Sequence, residues 1–154
     1  MIRYVLAVIL AVALLAIAVP AIDHAATLNT ERTLDSDLAA LDEAATSLAA
    51  TDELSPDGHP NPQRVVTVTL PTRSMTTTGV DHVEIVPHER GDFSTARYVL
   101  EDGTTRERTI DERIVWDDPA ATEPVELGGS GERRLALTLR ADPDGDAVVV
   151  ASEA

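Results

Sequence analysis

Residues 4–22 form one apolar run, from Tyr4-Val5-Leu6-Ala7 through Val19-Pro20-Ala21-Ile22. It holds no charge, and only Tyr4 carries a polar side-chain group. A helix rises ~1.5 Å per residue, so the run reaches about 28 Å, close to a bilayer's hydrocarbon thickness. It predicts a transmembrane helix that uses the lipid bilayer as its partner. Pro20 lacks an N–H and crowds the carbonyl of Ala16, which predicts a kink near the outer leaflet. Arg3 and the free amino group are the positive charges ahead of the run, and Asp23 follows it at once. The positive-inside bias then places the N-terminus in the cytoplasm and the rest outside, as a single-pass protein of the cell membrane. A cleaved signal peptide is the alternative, since Val19-Pro20-Ala21 offers small residues of the kind a signal peptidase reads. The run is longer than a usual signal-peptide core, and a helical pattern continues beyond it. The expectation is therefore an uncleaved anchor over residues 1–22.

Residues 23–54 read as an amphipathic helix continuous with the anchor. Leu34, Leu38, Leu41, Ala45 and Leu48 recur at four, three, four and three, an a/d seam over about two heptads. Asp35, Asp37, Asp42, Glu43 and Asp52 lie off that seam. Two occupants suit such a face: a helix of a partner protein, or the chain's own sheet. These five seam residues are the candidate interaction site. Asn29-Thr30 is the expected weak point of the helix.

Ser55-Pro56-Asp57-Gly58-His59-Pro60-Asn61-Pro62 suits neither helix nor strand, so residues 55–63 read as a linker. From residue 64 the period becomes two. Val66, Val68 and Leu70 share one strand face; Val83 and Ile85 share another; Ala96, Tyr98 and Leu100 a third. Asp102-Gly103 predicts a type I′ hairpin turn. The return strand to Ile110 carries Arg106, Glu107 and Arg108, as an edge strand would. Short strands follow at 113–116 and 124–127. Gly128-Gly129-Ser130-Gly131 reads as a hairpin turn, Leu135, Leu137 and Leu139 as one face, and Asp142-Pro143-Asp144-Gly145 as the turn into the strand from Ala147. The fold class expected is α+β: a transmembrane helix, an amphipathic helix and a small antiparallel β-sheet or sandwich over 64–154. That β-rich domain is expected to fold alone once released at the linker.

The net charge is −15, from 27 acidic and 12 basic residues, and every basic residue is arginine. Such a surface repels nucleic acid and anionic lipid. In molar salt the Debye length falls to about 3 Å, and self-repulsion of this kind is screened. Dense carboxylates, absent lysine and abundant Ala, Val and Thr resemble haloarchaeal proteins. Residues 23–62 hold nine acids against Arg32, and residues 64–154 hold eighteen against ten arginines. The outward helix is thus the more densely charged part, which predicts that dilution of salt frees it before the β domain melts. No cysteine is present, which excludes disulfides, thiolate metal sites and a cysteine nucleophile.

Asp142-Pro143-Asp144-Gly145-Asp146 sets three carboxylates at alternate positions, as calcium loops do, but it fails the EF-hand frame and reads as a turn. His82 and Glu84 share a strand face, with His88-Glu89 nearby, and read as exposed strand and loop residues rather than a metal set. Ser74 and Ser94 lack a nucleophile-elbow setting, and Gly128–Gly131 lacks the strand-turn-helix setting of a phosphate loop. No catalytic, cofactor or metal residues are assigned, and an enzyme is not expected.

A short basic start, a proline-containing apolar helix, an outward helix and a β-rich head resemble type IV pilin-like subunits. More narrowly, the stretch Arg64-Val65-Val66-Thr67-Val68-Thr69-Leu70-Pro71-Thr72-Arg73-Ser74, then Gly79-Val80-Asp81, then Gly131-Glu132-Arg133-Arg134-Leu135-Ala136-Leu137, is similar to an uncharacterised haloarchaeal family. Its members are single-span proteins that occur with pilus-like secretion components. Pilins usually carry a prepilin-peptidase site and an early glutamate; here no small residue adjoins Arg3 and no acid precedes Asp23. The resemblance implies a non-enzymatic, membrane-anchored accessory or interaction protein whose 23–54 helix meets pilus-like or secretion-system membrane proteins. The alternative is an anchored or secreted extracytoplasmic module that binds a ligand or ion.

Overall fold

The computed structural model describes residues 1–56, 59–88 and 90–154. One helix, α1 (Ile2–Thr51), takes up the first third of the chain and runs through Pro20 without interruption. It ends where Asp52 turns extended, at φ −108 and ψ 148. The apolar run and the amphipathic stretch are therefore one rod. The helix ends three residues before the 23–54 bound read from the pattern. Asn29-Thr30 is not a weak point. The Asn29 amide donates to the carbonyl of Thr76 (3.1 Å), and the buried Thr30 hydroxyl donates to that of Thr78 (2.8 Å). These polar side chains are spent on a neighbouring loop instead of competing with the helix backbone.

Among the described residues eight strands follow: β1 (Gln63–Leu70), β2 (Val80–Pro87), β3 (Ser94–Leu100), β4 (Thr105–Ile110), β5 (Ile114–Trp116), β6 (Val125–Glu126), β7 (Gly131–Ala141) and β8 (Ala147–Glu153). They make two four-stranded sheets, in the orders β1-β7-β8-β5 and β4-β3-β2-β6. All pairings are antiparallel except β5 with β8, which is parallel. The alternation that marks the strands also sets their inner faces. Val66, Val68 and Leu70 of β1, Val83 and Ile85 of β2, and Ala96, Tyr98 and Leu100 of β3 are all buried. β4, with its charged side chains, is an edge strand as its composition suggests.

Three turns differ from or refine their sequence reading. Leu100 and Thr104 pair across a three-residue loop, with Gly103 donating back to the Leu100 carbonyl at 2.9 Å. Gly103 alone has a positive φ (85), so the connection is a tight turn closed by a left-handed glycine rather than type I′. The Asp142–Asp146 turn is built the same way around Gly145. Gly128–Gly131 is not a hairpin turn: β6 and β7 lie in different sheets, and this segment carries the chain between them.

The helix is part of this core. It lies along β1 and touches β7, β8 and β4. Leu34, Leu38, Leu41, Ala45 and Leu48 share one buried cluster with inward residues of both sheets. A domain cut at residue 64 would lack these side chains, so the expectation that 64–154 folds alone does not fit the packing. A second, small cluster of Val115, Val148 and Val150 on the other face of the first sheet is covered by Ala121.

Candidate functional site

The helix divides into two parts by what covers it. Residues 2–25 are exposed throughout, and Ala26 is the first buried position. The most apolar 18-residue window has a mean hydropathy of 3.0 and is 0% buried, so α1 is long and apolar enough to cross a membrane. Leu6, Leu10 and Leu15 each show about three fifths of their surface (61%, 61% and 63%), which in water would be a large apolar liability. This segment is the candidate interaction surface that the fold leaves open.

The seam singled out from the sequence lies beyond it and is closed. Leu34, Leu38, Leu41, Ala45 and Leu48 are each 0% exposed. The structure brings all five together, with the chain's own sheets as their occupant, so no partner helix reaches them while the domain is folded. This corrects their reading as contact residues for another protein.

The acids flanking the seam are used in the same junction. Asp37 accepts the amide of Thr69 at 2.7 Å, which satisfies a donor on β1, an edge strand. Asp42 accepts the amide of Asp111 at 2.9 Å, just past β4. Asp52 pairs with Arg64 at 2.8 Å, and Glu31 lies 2.9 Å from Arg106 in an ion pair without hydrogen-bond alignment. Fully buried Tyr98 donates its hydroxyl to Asp35 at 3.2 Å. Burial first, and then the Asp35 charge, hold this phenol well above its ordinary range. At the end next to the apolar run Thr27 donates to Asp102 at 2.6 Å; that bond, with the Thr104 amide, holds the Asp102 carboxyl below the usual carboxylate range. Spacing alone marks these acids as off-seam and solvated. Nothing in it shows that they cap strand amides, because the partners lie 12 to 75 residues away.

Two other groups were singled out by residue type. His82 lies 3.5 Å from Glu84 and 3.1 Å from Glu126, while Arg97 bridges Glu84 and Glu107 at 2.9 and 2.7 Å. This is a paired surface strip. His88 stacks on Phe93 (4.4 Å between centroids) and bonds Thr95, away from His82; Glu89 lies outside the described residues. In the other group, Asp142 Oδ1 accepts the amides of Asp144 and Asp146, both at 2.9 Å, as a self-closed turn does. With Asp92, Asp111 and Glu112 it borders an acidic cleft of about 690 Å³. Burial and the neighbouring Asp92, Asp111 and Asp42 push the Glu112 carboxyl up. Among the described residues, no group of three or more His, Asp or Glu is arranged to hold a metal ion.

The family model for a domain of unknown function, DUF7311, matches residues 1–154. The chain belongs to that family. The match takes in the exposed apolar run, the buried seam and the β domain together. No curated protein matches the chain, and no solved structure does.

Proposed function

We propose that this protein is a membrane-anchored, pilin-like accessory or interaction protein of a pilus-like secretion assembly, without enzymatic activity. Its N-terminus lies in the cytoplasm and its acidic β domain outside the cell. The observation that carries the reading is the single helix of 50 residues, bare and apolar over 2–25 and locked into the domain core from Ala26 onward. Such a rod has no joint between anchor and head. Any helix that packs against the anchor in the bilayer also fixes the orientation of the head. In lipid, that packing comes from side-chain fit rather than from the hydrophobic effect. Contact with membrane partners is therefore assigned to residues 2–25 and not to the 23–54 seam.

The test is a pull-down from native membranes with a C-terminally tagged chain. Secretion-assembly proteins should copurify. Replacing the 4–22 run by an unrelated apolar span should abolish that while the protein stays in the membrane fraction with its domain folded. Copurification that survives the swap would contradict the reading, and so would native membranes that yield no such proteins. Scrambling 23–54 is not a useful control, since it would unfold the head.

A further inference from the structure

The loop between β1 and β2, residues 71–79, lies against the helix where it leaves the apolar run. It is braced internally: the Ser74 amide donates to the carbonyl of Thr77 at 2.9 Å, and the Thr77 hydroxyl donates to that of Thr72 at 2.7 Å. It is also tied to the helix through Asn29 and Thr30. Its residues Arg73, Ser74 and Met75 share a cleft of about 340 Å³ with Ile22 and Asp23, so the loop reaches back to the last apolar residue of the anchor. Met75 is 84% exposed. Beyond Ile22, the other exposed large apolar side chains among the described residues are Leu54, Val65 and Phe93, at 37%, 50% and 39%. A loop held by hydroxyls has no packing use for a methionine directed into solvent.

We infer that the 71–79 loop is a second membrane contact, a foot whose Met75 enters the lipid interface beside the exit of the helix. This rests on the anchor reading above. Apolar faces of interfacial segments enter to about 5–10 Å, at the boundary of headgroups and acyl chains, and Met75 is the apolar side chain this loop offers to that layer. Asp23, Glu101 and Asp102 surround the foot and stay in water, which limits its depth; Arg73 lies 3.9 Å from Glu101 and is 75% exposed at its side chain, which leaves it free to extend toward lipid phosphates. Anchor and foot together make two attachment points, so the head is held at a set height and tilt.

The chain has no cysteine, so single labels can be placed at will. Met75→Cys, Val12→Cys and Asp144→Cys variants of the full chain would each carry an environment-sensitive fluorophore in phosphatidylcholine vesicles at molar salt. Position 144 is the control: its turn borders the same cleft as Ala49, about 40 Å along the helix from Ile22. The expected result is a blue shift at 75 with loss of fluorescence to shallow spin-labelled lipid, a loss at 12 to deep spin-labelled lipid, and neither at 144. A label at 75 that behaves like the one at 144, with position 12 still quenched, overturns the foot and leaves the anchor. Absence of quenching at 12 overturns the anchor and the foot with it.

Discussion

Replacing Leu38 by alanine should weaken the β domain, although Leu38 lies on the helix. The side chain is 0% exposed and packs in one cluster with inward residues of both sheets. Truncating a leucine in such a place costs about 2–5 kcal/mol, the larger values applying where the walls cannot collapse into the gap. A whole domain of this size is stable by about 5–15 kcal/mol, so the effect is a sizeable fraction of the total. Trp116, the single tryptophan, packs against the same cluster from β5 and reports on the sheets rather than on the helix. Urea unfolding of the full chain in detergent and molar salt, read by Trp116 fluorescence, should show the midpoint falling by about 1–2 M. Leu10→Ala, at a position 61% exposed in the apolar run, should leave that midpoint in place. If Leu38→Ala changes the Trp116 transition by less than about 0.5 kcal/mol, the helix is not part of the domain core.

Removing four such leucines at once, by cutting the chain at residue 64, should leave the remaining strands unfolded; circular dichroism of that fragment in high salt checks this. Asp37→Ala strips the acceptor from the Thr69 amide, and loss of a hydrogen bond to a charged group costs about 1.5–3 kcal/mol, measurable in the same urea assay. Tyr98 titrates above its ordinary range in the folded chain, so the unfolded chain releases that proton first. Stability should therefore fall as pH rises past about 10, and Tyr98→Phe should remove this part of the alkaline slope. The Asp102 carboxyl has the opposite sign: its lowered value adds stability above the usual carboxylate range that is lost as pH falls, and Asp102→Asn should flatten that acid limb. On dilution of salt, limited proteolysis should cut residues 26–51 and the strands at the same step, because they share one core. Earlier cleavage of the helix alone would contradict this.

The alternating strands and the leucine seam were legible because each depends on a local period. Val66, Val68 and Leu70, or Leu34, Leu38 and Leu41, announce one buried face whatever covers it. What covers it is not local. The seam's choice between another protein and its own sheet depends on contacts with strands that begin only at Gln63, beyond the end of the helix. The same holds for Asp35, Asp37 and Asp42, which look like mutually repelling surface charges until their partners Tyr98, Thr69 and Asp111 are placed beside them. The parallel pairing of β5 with β8 and the crossover at Gly128–Gly131 follow from which sheet each strand joins. Turn residues mark where the chain bends, but not which sheet it enters next. At Asp102-Gly103 the dipeptide signalled a hairpin correctly, while the loop took an extra residue and needed only Gly103 left-handed.

One unbroken helix carries both the bare apolar run and the core seam. Hydrogen exchange of the full chain in lipid nanodiscs at molar salt, read by mass spectrometry, examines that continuity residue by residue. Protected amides are expected from the first turns of α1 to Thr51, with no fast-exchanging gap between Pro20 and Thr30, and 26–51 as slow as β1 and β7. Rapid exchange across 20–30, or loss of protection in 26–51 ahead of β1 and β7, would show a hinge between anchor and head and contradict it.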